Sequence, residues 1–377
     1  MSDPRGSRAA AASERLSDRW PVYTRVALGL SSGALPGLLL LLLGVALGPE
    51  GVGLLSVGVL SVIDPAMPVA LVALGVLIGL SFNPRRTGDA RLLAAASAES
   101  ALTTAVVAAG TLAVAPAWNG ADGLPYWFLA LALGVCAASS SAVSSRNRHD
   151  VHSLSARIGD LDDLLPIVLS GVALAFFREP SPAAGLLLLA QGCGVALVIV
   201  LAGWLLLAKS SSQTEQRVFT IALLLLLGGA ADYLSLSALL SGLIAGLFLE
   251  WIGGSARDYV RRDVLHVQHP LLVLVLLVAG ARIEFPPTWI VLGIAYLFLR
   301  TAGKLWGGSV ARRIAGADTP RDLGLALLAP GVLGIAFALN VLRAVGPEAA
   351  PVLAIVAFGA IGSDIIGALV RSREARE

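Results

Sequence analysis

Long runs of apolar residues fill most of this sequence and leave little of it for a water-soluble fold. Hydrophobic residues make up 56% of the chain and charged residues only 14%, and the mean hydropathy is +0.82. A helix needs about 20 apolar residues to cross a hydrocarbon core roughly 30 Å thick. The 377 residues therefore suffice for about twelve crossings and no large soluble domain. We expect an all-α polytopic membrane protein.

Short clusters of proline, glycine and charged residues divide the apolar sequence into candidate transmembrane segments. The twelve segments are 33–48, 65–83, 92–115, 126–145, 153–177, 183–208, 218–231, 234–252, 268–281, 288–311, 322–342 and 350–370. Residues 51–62 leave open a further helix or a re-entrant piece.

The distribution of basic residues predicts the topology, because cytoplasmic loops carry an excess of lysine and arginine. With the N-terminus inside, alternate loops and both tails hold 22 of the 27 basic residues, and the opposite side receives only Arg178, Arg282 and Arg343. We therefore expect both termini in the cytoplasm. The predicted organisation is a basic tail over 1–25, a transmembrane domain over 26–371 and a short tail over 372–377.

Three ionisable residues stand out because charged groups in hydrocarbon are costly and usually mark ion pathways. Asp162 and Asp163 lie near the middle of the fifth segment, and Lys304 lies at a matching depth, about 12 to 15 Å from the cytoplasmic ends at 1.5 Å per residue. Two adjacent buried carboxylates do not easily both stay ionised unless a cation neutralises one, and a lysine supplies such a cation. Competition between a small cation and a proton for Asp163 predicts ion exchange, although a network that only joins helices remains an alternative.

Two of the segments carry residues that favour an interrupted helix. The fourth contains Ser139, Ser140 and Ser141, and the eleventh contains Pro330 and Gly331. Interrupted helices in corresponding halves are typical of the binding site in inverted-repeat transporters, so we expect core helices over about 92–177 and 288–370. Small residues also serve close helix packing, which is the competing interpretation.

Four other ionisable residues in the segments are candidates for the ion pathway. Asp160 lies one turn before the aspartate pair and suggests a proton relay or an entry funnel. Glu99 and Asp364 are acids that line the path or pair with Arg300. For Arg300 itself the sequence leaves two interpretations open. Its side chain extends to the membrane surface (snorkelling), or it makes a polar contact within the helix bundle.

Several stretches resemble the cation/proton antiporter superfamily, which includes bacterial sodium/proton antiporters and the membrane domains of potassium efflux systems. The similarity covers most of the chain from about residue 35 to 369. The stretches are LGVLIGLSFNPRR at 74–86, the serine run at 139–141, LDDLLPIVL at 161–169, LSALLSGLIAGLFL at 236–249 and RTAGKLWGGSVARR at 300–313.

The resemblance implies an inverted-repeat fold with two broken crossing helices and a homodimer in the inner (plasma) membrane. It also implies that Asp163 is the ion-binding aspartate, Asp162 its salt-bridged neighbour and Lys304 the lysine partner. Two residues depart from the family pattern: Ala138 stands where a threonine is usual, and Pro166 where glycine is usual. These departures leave the substrate and the coupling open.

The expected function is secondary active exchange of a monovalent cation for protons by alternating access, with a role in pH homeostasis. Sodium is the first candidate for the cation. Its partners are the transported ions and membrane lipid, with no cofactor and no nucleic acid. ATP-driven transport and metalloprotease chemistry are disfavoured, because neither GxxxxGK[ST] nor HExxH occurs. Potassium/proton exchange or gated efflux is one alternative, and a transport-inactive sensor or scaffold is another.

Overall fold

A computed structural model describes residues 35–82, 89–115, 123–140, 151–179, 181–284, 289–316, 319–320 and 322–374, and the described chain is almost entirely helical. We number the α-helices in chain order. They are α1 Leu35–Leu47, α2 Val57–Ile63, α3 Met67–Ser81, α4 Asp89–Val114, α5 Tyr126–Ala138, α6 Val151–Leu161, α7 Leu164–Arg178, α8 Pro182–Lys209, α9 Gln213–Tyr233, α10 Ala238–Ile252, α11 Ser255–Ala281, α12 Trp289–Ala315, α13 Leu323–Ala326, α14 Val332–Val345 and α15 Ala350–Glu374.

The helices confirm an all-α polytopic membrane fold. Within the described ranges, seven helical stretches are long and apolar enough to cross a membrane, and four shorter apolar helices accompany them. Of residues 51–62, which the sequence left open, the part from Val57 onward forms α2, which continues through a 3-10 turn at Asp64–Ala66 into α3. The predicted tail at 1–25 lies outside the described residues, and α15 continues to Glu374, past the predicted start of the second tail at 372.

The fifth apolar segment is not the single continuous helix that the sequence suggested. It divides into α6 and α7, with a turn at Asp162 and Asp163 between them. The cause is Pro166, which has no backbone N–H to donate to the carbonyl of Asp162 four residues earlier. The hydroxyl of Ser100 on α4 takes that place and donates to the Asp162 carbonyl over 2.6 Å. The aspartate pair therefore lies at a helix break, and a side chain from a neighbouring helix donates the hydrogen bond that the Asp162 carbonyl would otherwise lack.

Two helices end in unwound chain near the same point, as the serine run and the Pro-Gly pair predicted. Helix α5 stops at Ala138, and Ser139 and Ser140 continue as extended chain, while α13 and α14 are separated by residues 327–331. Ser140 and Pro330 form an antiparallel bridge, so the two unwound segments meet. Ser141 lies outside the described residues. Among the described residues, the meeting of these two unwound segments is the part of the predicted crossing that the structure shows.

Glycines allow α3 and α10 to pack with their backbones in contact. Gly75 and Gly79 on α3 face Gly242 and Gly246 on α10, and a methyl group added at Gly79 would lie 2.6 Å from the carbonyl oxygen of Leu243. Such small residues four apart are typical of close helix pairs in membranes. The pair forms part of the predicted scaffold beside the core helices.

The three arginines assigned by the sequence to the outer side lie at one end of the bundle. Asp64 accepts hydrogen bonds from both Arg282, after α11, and Arg343, near the end of α14. Arg343 also pairs with Asp232 over 2.9 Å, and Arg178 donates to the carbonyl of Ala344. The side of the membrane that this end faces stays a prediction.

The glycine contact predicts a specific effect of volume on stability. In Gly79→Val the new side chain meets the α10 backbone, and overpacking of this kind costs roughly 1–3 kcal/mol or more. We expect a lower melting temperature in detergent, followed by intrinsic fluorescence. The control is Gly194→Val on α8, where an added Cβ has nothing within 4 Å. Equal melting temperatures for the two variants would contradict the close packing of α3 and α10.

Candidate functional site

Lys304 is the centre of a buried polar cluster next to the crossing of the unwound segments. Its side chain is 0% exposed and its ammonium lies 3.1 Å from Oε1 of Glu99 and 3.4 Å from Oδ2 of Asp162. It also donates to the carbonyl of Ala138, at the end of α5. An ammonium has three donors, so these three acceptors account for all of them. The structure thus places Lys304 against Asp162, one of the two aspartates with which the sequence predicts it to act.

Glu99 belongs to this cluster through Lys304, whereas the sequence suggested a pathway position or a pair with Arg300. Its side chain is 0% exposed, and Oε1 also accepts a hydrogen bond of 2.9 Å from Thr103, one turn further along α4. Helices α4 and α12 pack closely here, since a Cβ on Gly307 would lie 3.1 Å from Cγ of Glu99. Two packed helices therefore hold the pair of Glu99 and Lys304.

Asp162 and Asp163 are both buried at the break between α6 and α7, with relative exposures of 0% and 5%. Asp162 accepts a hydrogen bond from the hydroxyl of Ser140 besides its contact with Lys304. Among the residues that the structure describes, Oδ1 of each aspartate makes no hydrogen bond. The charges of Lys304, Asp160 and Glu99 all act electrostatically on Asp163. The pair thus has oxygen atoms free to accept a further ligand or a proton.

Arg300 connects the two unwound segments. Its guanidinium donates to the carbonyl of Ser139 over 3.1 Å, to the carbonyl of Leu328 over 2.8 Å and to the hydroxyl of Ser363 over 2.9 Å. Carbonyls released where a helix unwinds need partners when they are buried, and Arg300 supplies them on both sides of the crossing. The side chain is 2% exposed, so snorkelling to the membrane surface does not describe it.

The remaining predicted residues surround this cluster. Gly331 lies so close to the other unwound segment that a Cβ on it would be 3.2 Å from the carbonyl carbon of Ser140, and Pro330 is the bridge partner of Ser140. Asp160, half-buried on α6, acts electrostatically on Asp163. Asp364 on α15 is 9% exposed and acts in the same way on Arg300.

Sequence reasoning missed three hydroxyl side chains of this site. Ser100 supports the helix break, Thr103 holds Glu99, and Ser363 accepts from Arg300. Polar residues inside apolar segments were a signal for all three. Serine and threonine are common in membrane helices, however, and their partners lie on other helices. Only the tertiary structure therefore identifies these three residues as part of the site.

The cluster as a whole brings together three buried carboxylates and one ammonium: Glu99 and Asp162 contact Lys304, and Asp163 follows Asp162 in the chain. Three carboxylates beside one ammonium leave an excess of negative charge, and buried like charges oppose one another. The binding of protons or of another cation would remove this excess. Within the described part of the chain, no group of three His, Cys, Asp or Glu side chains is arranged to hold a metal ion.

The solved structure of the sodium/proton antiporter MjNhaP1 from Methanocaldococcus jannaschii is similar to this chain, with a TM-score of 0.62. The sequences are 19% identical, and the similarity covers 88% of this chain and 91% of that one. No protein-family model and no curated protein matches the sequence. The chain is a multi-pass membrane protein with the fold of a sodium/proton antiporter, so the resemblance noted in the sequence is confirmed for the fold.

The contacts of Arg300 predict that its shape matters as much as its charge. Arg300→Lys keeps one positive charge but loses the planar fork whose two separate nitrogens, Nη1 and Nη2, donate to the carbonyls of Leu328 and Ser139. We expect destabilisation of about 2 kcal/mol, because a buried hydrogen bond to a charged group is worth roughly 1.5–3 kcal/mol. Thermal unfolding in detergent measures the effect. Arg257→Lys is the control, since the Arg257 side chain is 32% exposed and one of its partners, Asp258, is 62% exposed. If Arg300→Lys were as stable as the control, the hydrogen bonds of Arg300 to the two unwound segments would not stabilise the fold.

Proposed function

We propose that this chain is a secondary active transporter that exchanges a monovalent cation, sodium first, for protons. The observation that carries the proposal is the buried cluster of Lys304 with Glu99 and Asp162, together with the adjacent Asp163, next to the point where two unwound segments meet. The antiporter MjNhaP1 has the same fold and is a sodium/proton antiporter by name, which supports the same class of substrate here. A protein with this activity is a transporter and not an enzyme.

Asp163 and Asp162 are the proposed binding groups for both the cation and the protons. Hard monovalent cations prefer oxygen ligands, and the Oδ1 atoms that have no hydrogen bond among the described residues supply two. Hydroxyl and carbonyl oxygens of the unwound chain at Ser139 and Ser140 can complete the shell. Protonation of the same carboxylates removes the negative charge that holds the cation. One set of atoms therefore binds one substrate at the expense of the other, which is the requirement for exchange.

Alternating access is the proposed transport mode, with the core helices at about 92–177 and 288–370 moving against the others. The fold supports it because the cluster lies entirely within the core, whereas α3 and α10 form a glycine-packed pair outside it. The proposed setting is a homodimer in the inner membrane with both termini in the cytoplasm. Asp160 and Asp364 are proposed to lie along the pathway, and pH homeostasis is the proposed role.

The two departures from the family pattern do not favour a transport-inactive protein. Ala138 contributes its backbone carbonyl to Lys304, so this contact does not need a threonine side chain. Pro166 accounts for the helix break at which the aspartate pair lies. Potassium/proton exchange remains the alternative, and a comparison of sodium, lithium and potassium separates it from sodium exchange.

The proposed role of Asp163 predicts the loss of exchange in Asp163→Asn, because the amide can neither take up a proton nor neutralise a cation. Purified protein in proteoliposomes with an internal pH dye measures proton movement on addition of sodium, lithium or potassium. We expect a reduction of at least roughly a hundredfold, as ground-state charge pairs of this kind are worth several kcal/mol.

The control for this experiment is Asp258→Asn on α11, whose carboxylate is 62% exposed. This variant is expected to exchange ions like the unaltered protein. Cation-dependent proton movement that persists in Asp163→Asn would show that the binding group lies elsewhere. An absence of such movement in the unaltered protein with every cation would overturn the proposed function itself.

A further inference from the structure

Asn340 on α14 joins the proposed core to the proposed scaffold. Its side chain is buried, with a relative exposure of 3%. Its amide oxygen accepts a hydrogen bond of 3.3 Å from the N–H of Ala238, and its amide nitrogen donates to the hydroxyl of Ser237 over 3.2 Å. These two residues begin α10, where the first backbone N–H groups have no partner within the helix. A side chain of the core therefore binds the start of a scaffold helix.

Arg343, about one turn further along α14, makes a second connection of the same kind. It donates to Asp64, in the turn before α3, over 3.3 Å and to Asp232, near the end of α9, over 2.9 Å. Both acids belong to the proposed scaffold. The side chain of Arg343 is 15% exposed, whereas those of Asp64 and Asp232 are 32% and 55% exposed. We call the hydrogen bonds of Asn340 and Arg343 to the scaffold the latch.

The latch lies to one side of the proposed binding site, towards the predicted outer end of the bundle. Gly331 lies next to the other unwound segment, and α14 begins directly after it. At 1.5 Å per residue, Asn340 lies about 13 Å and Arg343 about 18 Å further along the helix. A cavity of about 40 Å³ beside the latch is lined by these two residues and, from α3, by Pro68 and Leu71. Core and scaffold thus leave unfilled space between them next to the latch.

A connection of this kind can open at moderate cost. Ion pairs that water can reach are individually weak, and water replaces Arg343 as the partner of the two partly exposed acids when they separate. We propose that the latch keeps the core closed against the scaffold at this end, and that it must release before the aspartate pair opens to this side of the membrane. The inference rests on the proposed alternating access. Asn340 and Arg343 set when the site opens to this side, and neither is among the proposed ion ligands.

The access of a reagent to this interface tests the latch without any transport. Ala231 on α9 lines the same cavity and is 2% exposed. Ala231→Cys, made together with Cys193→Ala, provides a thiol that reacts slowly with a water-soluble maleimide while the latch is closed. We expect the further change Arg343→Gln to raise the rate of alkylation at position 231 about tenfold, because it removes charged hydrogen bonds from the closed state alone. An unchanged rate would overturn the inference.

Arg282→Gln is the matched control for the alkylation experiment. Arg282 also donates to Asp64 at this end of the bundle, but both residues belong to the proposed scaffold, so its loss leaves the latch in place. We expect no rise in the rate, and an equal rise in Arg282→Gln and Arg343→Gln would overturn the inference. If Arg343→Gln does not fold, Asp232→Asn takes its place, because this acid is largely exposed and Asp64 still holds the arginine. A smaller rise is then expected, and the absence of any rise would contradict the latch.

A covalent connection tests whether the latch releases during transport. Asp232→Cys with Arg343→Cys replaces the ion pair by two thiols, which a bifunctional methanethiosulfonate reagent can join in the proteoliposome assay. We expect the joined protein to stop cation-dependent proton movement and reduction to restore it, whereas each single variant treated with the same reagent continues to exchange. Exchange that persists in the joined protein would overturn the inference. If the unaltered protein moves no protons with sodium, lithium or potassium, the proposed function fails, and the alkylation rates still decide whether the latch holds the interface closed.

Discussion

The buried ammonium of Lys304 is the interaction on which the architecture of the core depends. A charge in this position is costly unless it is paired and fully hydrogen-bonded, and removal of one partner from such a pair costs about 3–5 kcal/mol. Its three acceptors come from a long helix, a helix break and the end of an unwound helix, through Glu99, Asp162 and Ala138. The lysine therefore joins the three pieces of chain that surround the proposed binding site.

Unwound chain inside a membrane protein is possible only where its polar backbone groups find partners. Here those partners are supplied by side chains from other helices. Arg300 serves carbonyls on both sides of the crossing, and Ser100 serves the carbonyl that Pro166 leaves without a donor. The irregular backbone and the charged side chains are thus one system, since each compensates for the cost of burying the other.

The cluster has two parts that differ in their hydrogen bonding. Glu99 and Lys304 lie on two packed helices with a small residue, Gly307, at their contact. The aspartates lie at the break, each with one oxygen that makes no hydrogen bond among the described residues. The ion pair therefore lies between packed helices, whereas the proposed binding groups lie at the turn between α6 and α7.

The sequence alone determined the fold class and the main candidates of the site. Apolar runs of fixed length can form only membrane helices, and a run of small residues or a Pro-Gly pair weakens a helix wherever it lies. The cost of burying charge singled out Asp162, Asp163 and Lys304 in the same way. Pro166 is also a sequence signal of the break between α6 and α7, in a segment that the sequence analysis treated as one helix.

Only the tertiary structure decided which charges pair. Glu99 and Lys304 are 205 positions apart, and the rotation of each helix about its axis selects the partner from several acids at similar depth. That rotation depends on close packing at glycines such as Gly303 and Gly307 against α4, and uniformly apolar segments leave it undetermined because every face of them is hydrophobic. The partners of Arg300 followed from the same packing.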